Sequence, residues 1–367
     1  MENPEEVLRA EDTPLRSAAE GDAGSRADAY ARAGVDIAAG DAAVTRFKDV
    51  TAGWRHPSQL GVLGGFSGLF ALPGDPARAL VGSTDGVGTK ILIAALAERY
   101  DTVGADLVNH CINDIVVVNA VPLFFLDYLA VGKLDPDVAG AIVAGVQRAC
   151  RAHDCALLGG ETAEMPGLYA PAHFDLAGTI VGLVDTANIP DHARVAPGDA
   201  IVGLPSLGLH TNGYSLARKL IAEAEYDQPF PAAGDGVTFV DALLAEHPSY
   251  YAAVRAIEAA AEVKAMSHIT GGGLLENVPR TLPASCKAVF EQSRWALPPL
   301  LVELVKRGAL QHEESYRTFN MGIGFTLIVP LAQAHAACGA WPAAKVVGWI
   351  EERRAGDPAV VVHPARA

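Results

Sequence analysis

Two α/β domains in tandem are what the sequence predicts, and three observations carry that prediction. The chain has 367 residues, enough for two cores at roughly 100–200 residues per domain. Short strand-like apolar runs alternate with helical ones along nearly its whole length. Between Asp185 and Asp199 the alternation gives way to a polar stretch holding Pro190 and Pro197, and it resumes afterwards.

The elements follow in order. Residues 1–27 are acidic and poor in large apolar side chains, and read as a disordered tail. Val44, Phe47 and Val50 recur at helical spacing and predict a helix over Asp36–Thr51. Leu69–Leu72 and Ala79–Ser83 read as strands, the second running into a glycine-rich turn, and Thr89–Arg99 and Asp106–Asn119 as helices. Leu123–Lys133 reads as a buried strand. Asp135-Pro136 starts a helix reaching about His153, with the Asp as N-cap and the Pro at the first helical position. Cys155–Leu158 and Asp175–Val184 are the next strands. Past the polar stretch come strand Ala200–Pro205, helices near Asn212–Glu223 and Tyr250–Lys264, a turn at Thr270–Gly273, and strands Lys287–Phe290, Phe325–Val329 and Lys345–Trp349.

Composition narrows the function. A net charge of −15 argues against general affinity for nucleic acid or an anionic membrane. Loop amides and a few local cations still hold a phosphorylated ligand. The longest apolar run, Ile91 to Ala97, is far below the roughly 18 residues of a membrane span, and the first 20 residues lack a signal-peptide pattern. A cytoplasmic enzyme is expected. The five cysteines form no CxxC pair, which signals neither a zinc site nor a disulfide framework.

Three segments join glycine turns to acids. Gly82-Ser83-Thr84-Asp85-Gly86-Val87-Gly88-Thr89-Lys90 sits between a strand and a helix, where amide hydrogens and the helix dipole favour phosphate. It is not a P-loop, and an acid among phosphate-binding amides makes sense if it holds Mg²⁺. Asp106 to Asp114 places Asn113 and Asp114 about two helical turns after Asp106, with Leu107 and Cys111 toward the core. Its acids serve metal binding, capping or an internal salt bridge. Gly159-Gly160-Glu161-Thr162-Ala163-Glu164-Met165-Pro166 follows a strand, so Glu161 leaves the end of a sheet. Three further loops offer donors: Gly64-Gly65-Phe66-Ser67-Gly68, His210-Thr211-Asn212-Gly213-Tyr214-Ser215, and His268-Ile269-Thr270-Gly271-Gly272-Gly273. No GxGxxG, serine nucleophile elbow or HExxH is present. The pattern points to phosphate and Mg²⁺ chemistry.

In order, these segments resemble the aminoimidazole ribonucleotide synthetase (phosphoribosylformylglycinamidine cyclo-ligase) family. The resemblance runs from Tyr30-Ala31-Arg32-Ala33-Gly34-Val35-Asp36-Ile37 through the segments above. It adds Pro122 to Tyr128 and ends with Tyr316-Arg317-Thr318-Phe319-Asn320-Met321-Gly322. It covers roughly residues 30–350. It implies a cyclo-ligase that uses ATP and Mg²⁺ to close the imidazole ring of formylglycinamidine ribonucleotide, in purine biosynthesis. It also implies a homodimer whose N-terminal domains share a β-barrel. The domains would be 28–186 for ATP and Mg²⁺ binding and dimerisation, a linker over 187–198, a C-terminal α/β domain over 199–354, and a tail over 355–367.

For the site, the resemblance implies Asp85, Asp114 and Glu161 as metal ligands and Lys90 as a neutraliser of phosphate charge. Lys48 would lie near ATP. Gly64, Gly65, Gly86, Gly88, Thr89, His210, Asn212, Gly271, Gly272 and Gly273 are candidates for nucleotide or substrate phosphate, and His268 for proton transfer or phosphate contact. The chain departs from the family pattern at Leu209, where proline is frequent, and at Glu246-His247-Pro248-Ser249-Tyr250, which replaces a Pro-Thr-Arg-Ile-Tyr-like segment. Another ATP-dependent member of the superfamily, a kinase or amidating synthetase, is the alternative enzyme. A silent nucleotide-binding protein is the alternative of a different class.

Overall fold

Helix α1 (Ile37–Thr51) is the first element. The structure, a computed structural model, describes residues 33–35, 37–61 and 64–365. The tail expected over 1–27, and Asp36 as a helix start, lie outside those residues.

Six strands form the first sheet: β1 (Gln59–Leu60), β2 (Gly68–Leu72), β3 (Asp75–Gly86), β4 (Val121–Val131), β5 (Ala156–Glu164) and β6 (Phe174–Asp185), in the order β1-β2-β3-β6-β4-β5. Only β4 and β5 run parallel. Helix α2 (Lys90–Leu96) follows β3, α3 (Val103–Val116) precedes β4, and α4 (Pro136–Ala152) makes the crossover from β4 to β5. Asp135 caps α4 as the sequence predicts, its carboxylate accepting from the N–H groups of Asp137 and Val138. Helices α3 and α4 approach closely because Gly104 and Gly145 lie where they cross. A Cβ on Gly104 would meet the Ile142 carbonyl oxygen at 2.1 Å. Every residue of α3 is buried, so the helix is walled on all sides.

One face of this sheet is left open. On β4, Phe125 and Leu129 are buried while Leu123, Leu126 and Tyr128 are exposed, the alternation shifting at a bulge between Pro122 and Phe124. On β5, Leu158 is 64% exposed. The predicted helix α1 is present, but Phe47 and Val50 on it are 60% and 72% exposed, so its apolar stripe faces solvent.

The second sheet comprises β7 (Ala200–Pro205), β8 (Ala265–His268), β9 (Cys286–Glu291), β10 (Ile323–Val329), β11 (Lys345–Glu352) and β12 (Val360–His363), in the order β12-β9-β11-β7-β10-β8. Strand β10, between β7 and the edge strand β8, is buried at every position. Strand β8 is too short to show periodicity and escapes the sequence reading, and β12 lies in the segment 355–367 read as a tail, where Val360–His363 instead pair with β9. Helices α5 (Tyr214–Leu220), α6 (Phe239–Leu243), α7 (Tyr251–Glu258) and α8 (Gly273–Asn277) surround it, with α9 (Pro299–Gly308), α10 (His312–Thr318) and α11 (Ala334–Ala340).

The two halves are joined along α3. Asp106, Asn109 and Asn113 lie on one face at helical spacing, and all three bond the segment 245–250. The Asp106 carboxylate accepts the His247 N–H at 2.7 Å, and the Asn109 side chain donates to the His247 carbonyl at 2.8 Å. The Asn113 amide oxygen accepts the Tyr250 N–H at 2.8 Å while its NH₂ donates to the Pro248 carbonyl at 3.0 Å. The segment that departs from the family pattern is thus strapped to the first sheet's helix.

Candidate active site

The site forms where the end of β3, the last turns of α3, the 245–250 strap and the end of β8 converge. Asp85 stands next to last in β3, and its Oδ1 accepts the Gly86 N–H at 2.7 Å. His110 and Asp114 are one turn apart on α3, so their side chains rise on the same face. His110 Nε2 lies 2.7 Å from Asp85 Oδ2 and 4.0 Å from Asp114 Oδ2. Asp114 also accepts from Ser83 Oγ at 3.1 Å and faces His268 Nδ1 at 2.8 Å. Asp85, His110 and Asp114 present ligand atoms within 4.8 Å of one another.

Burial opposes the charge on His110, but Asp85 and then Asp114 outweigh it and carry its pKa up to about 9. Burial likewise raises Asp85, yet the His110 cation and the Gly86 amide prevail and its carboxyl titrates below the usual range. His268, His247 and His210 are held down chiefly by burial, reinforced at His210 and His247 by neighbouring cations.

The glycine turns meet across the junction. A Cβ on Gly88 would touch the Thr211 carbonyl oxygen at 3.5 Å, and Thr89 Oγ1 lies 3.2 Å from Ser215 Oγ. Asn212 Oδ1 sits 3.2 Å from the Cβ position of Gly271. Gly86, Gly88, Thr89, Asn212 and Gly271 therefore share one wall, with Gly272 and Gly273 leading into α8. Gly64 lies against Lys48, whose Nζ is 3.2 Å from its Cβ position. Gly64 and Gly65 line a cleft of about 570 Å³ with Phe66, Ser83 and Thr84, and Ser83 links that cleft to Asp114.

Three expectations are corrected. Lys90 does not face the cleft: fully buried, its Nζ lies 2.6 Å from Asp106 Oδ2 and donates to the Ala245 carbonyl at 2.7 Å. Of the alternatives open for Asp106, the internal salt bridge is the one formed. Glu161 does not leave the sheet in a turn, since β5 continues through it to Glu164. Paired across the sheet, Glu161 stands opposite Tyr128, Tyr128 opposite Ala177 and Ala177 opposite Gly86. Three strand spacings, about 14 Å, separate it from the Asp85 end of β3. His210 and His268 are buried among protein groups rather than open to the cleft. Sequence reasoning missed His110 and His247. The departure at Glu246–Tyr250 was the one signal for His247, and His110 carried none.

A mixed first sheet, a second sheet joined to it through α3 and acids at glycine turns define a class, the AIR synthase related proteins. Residues 67–184 match the family described as AIR synthase related protein, N-terminal domain, and residues 196–361 its C-terminal domain. The chain is 48% identical over 310 residues to the phosphoribosylformylglycinamidine cyclo-ligase of Geobacter sulfurreducens, covering 83% of this chain and 88% of that one. It is 45% identical over 338 residues to that of Paraburkholderia phymatum, covering 91% and 95%. The chain belongs to the phosphoribosylformylglycinamidine cyclo-ligase family. Solved structures share the fold at low identity. The thiamine-monophosphate kinase from Stenotrophomonas maltophilia has a TM-score of 0.56 at 17% identity, covering 88% of this chain and 95% of that one. A hydrogenase maturation protein HypE in complex with ATP has 0.58 at 18%, covering 78% and 82%.

Proposed function

We propose that this chain is a phosphoribosylformylglycinamidine cyclo-ligase, converting formylglycinamidine ribonucleotide and ATP to 5-aminoimidazole ribonucleotide, ADP and phosphate in purine biosynthesis. The observation that carries the reading is the convergence of Asp85 and Asp114 at a junction walled by glycine turns. The close relationship to curated cyclo-ligases supports the substrate.

The chemistry explains why such a site is needed. The formyl amide oxygen leaves poorly as hydroxide or oxide. Attack of that oxygen on the γ-phosphorus breaks the bond to ADP and forms an imidoyl phosphate. The amidine nitrogen then attacks the activated carbon, the C–N bond closes the ring, and the C–O bond breaks to release phosphate. The protein's task is positioning and charge neutralisation.

Asp85 and Asp114 supply paired carboxylate oxygens, the donors Mg²⁺ takes alongside phosphate, and Mg²⁺ would neutralise phosphate charge there. Gly86, Gly88, Thr89, Asn212, Gly271, Gly272 and Gly273 are assigned to phosphate contact, and Lys48, Gly64 and Gly65 to the nucleotide. His268 orients Asp114 through its Nδ1. His210 lies buried behind that wall, next to Thr211 and Asn212. Glu161 reaches a metal only if a second copy brings it there. The exposed face of β4 and β5 is the surface assigned to a homodimer, with no nucleic acid or membrane partner; no helix among the described residues is long and apolar enough to cross a membrane. A cytoplasmic location completes the reading.

The test is substrate-dependent ADP release by the purified full-length chain with Mg²⁺, alongside direct detection of the aminoimidazole product. ATP turnover indifferent to formylglycinamidine ribonucleotide, or absent product, would sink the reading.

A further inference from the structure

Four histidines from distant parts of the chain lie against one another in a buried cluster. His110 comes from α3, His210 from the loop after β7, His247 from the strap and His268 from the end of β8. The His210 and His247 rings stack with centroids 4.0 Å apart, and His110 lies edge-on to both His247 and His268. Such a concentration of imidazoles, away from water, calls for a reason beyond packing.

We propose that His110, His247 and His268 form a binding site for a zinc-class transition-metal ion, clamping the two halves of the chain together beside the carboxylates. One ring nitrogen from each lies within 4.8 Å of the others. His247 Nε2 and His268 Nε2 are 3.3 Å apart. Two ligands of a tetrahedral zinc ion, each about 2.0–2.1 Å from the metal, stand about 3.3 Å from each other.

Hydrogen-bond bookkeeping says which nitrogens are bare. The Asp114 carboxylate only accepts, so His268 Nδ1 carries the hydrogen and Nε2 is left with its lone pair. The Asn113 amide is fixed by Tyr250 N–H and the Pro248 carbonyl, and its NH₂ lies 3.2 Å from His247 Nε2, making that atom an acceptor as well. His247 Nδ1 has no partner among the described residues. His247 Nε2 lies 3.3 Å from the bare His268 Nε2, and a cation held between them would take the place of the Asn113 N–H at His247. His110 Nδ1 lies 2.6 Å from Thr211 Oγ1, which leaves Nε2 as its free ligand. That Nε2 also lies 2.7 Å from Asp85 Oδ2, so a metal ion there would replace the proton this pair shares.

The surroundings match a metal's outer shell. A carboxylate on His268 and a hydroxyl on His110 fix ring orientation, as they do around bound zinc. Imidazole donors select Zn²⁺, Co²⁺ or Ni²⁺ over Mg²⁺, so this site is chemically distinct from an oxygen site at Asp85 and Asp114. His247 lies in the segment where the chain departs from the family pattern.

The experiment uses the full-length chain stripped with chelator, titrated with Co²⁺ and followed by visible absorption, with Zn²⁺ displacement and metal content by mass spectrometry. One Co²⁺ per chain with the intense bands of a tetrahedral nitrogen-rich site is expected, displaced by Zn²⁺ and indifferent to excess Mg²⁺. His247→Ala should weaken binding at least about 100-fold, and Asp85→Asn should retain the nitrogen-rich spectrum. If His247→Ala does not fold, His247→Gln takes its place. Substoichiometric metal in the parental chain, an octahedral spectrum, sulfur charge-transfer bands, or unchanged binding in the His247 variant would each overturn the proposal. None of these readouts depends on turnover, so failure here leaves the cyclo-ligase reading intact, and the reverse.

Discussion

Lys90 and Asp106 face each other 2.6 Å apart with neither side chain exposed. The pair joins α2 to α3, and both partners also hold the 245–247 strap, Lys90 through the Ala245 carbonyl and Asp106 through the His247 N–H. Burial pushes the Asp106 carboxyl up, and Lys90 and the His247 amide counter it. Removing one partner strands the other charge in the interior. Lys90→Ala is expected to destabilise the chain by about 3–5 kcal/mol, read from chemical denaturation. Lys90→Met paired with Asp106→Leu should recover much of that loss. A denaturation midpoint unmoved by Lys90→Ala would show that the pair does not stabilise the fold.

Asp85→Asn and Asp114→Asn each remove a carboxylate from the junction. Each is expected to lower substrate-dependent ADP release at least 100-fold, on the order of 3 kcal/mol in the barrier. Asp114→Asn also loosens His268, so the histidine NMR signals of the buried cluster should shift at His268 in that variant and chiefly at His110 in Asp85→Asn. Parental rates in either folded variant would remove that residue from the chemistry.

Protonation of His110 gives the metal-free protein a pH signature. Its folded pKa, about 9, lies above the ordinary value of 6.5. The stabilisation is therefore complete below pH 6.5, falls as pH rises from 6.5 to about 9, and is gone above. The loss is on the order of 3 kcal/mol, at about 1.4 kcal/mol per pH unit. Denaturation of chelator-treated protein across this window should show the decline, and His110→Gln should flatten it. A parental chain as stable at pH 9 as at pH 6.5 would contradict the charge assignment.

Local signals in the sequence were legible where one element decides the structure. The Asp135 cap with Pro136 behind it and the strand Ala200–Pro205 appear as read. Legibility failed where pairing overrides propensity. Gly159-Gly160-Glu161 reads as a turn, yet the parallel register with Leu126–Tyr128 keeps it extended. It failed again where chemistry depends on distance in the chain. Lys90 beside glycines reads as a phosphate ligand until Asp106 is seen against it. His110 and His247 are 137 positions apart, and no periodicity marks two lone histidines as neighbours.

The open face of the first sheet yields the last prediction. Leu123, Leu126 and Tyr128 on β4 and Leu158 on β5 are exposed together, while helices cover the opposite face. Strands so apolar on an uncovered side mark an interface, because a contiguous exposed patch of this kind is rare on monomers. The exposed stripe of Val44, Phe47 and Val50 on α1 is a second apolar surface left bare in the single chain. The parental chain of 38.2 kDa should therefore sediment as a dimer. Leu126→Asp places an unpaired carboxylate in the middle of the proposed contact, where desolvation costs several kcal/mol. That variant should sediment as a monomer with unchanged far-ultraviolet circular dichroism. If Glu161 acts across the interface, the same variant loses most of its turnover. A parental monomer, or a Leu126→Asp dimer as tight as the parent, would show that this face is not where two copies meet.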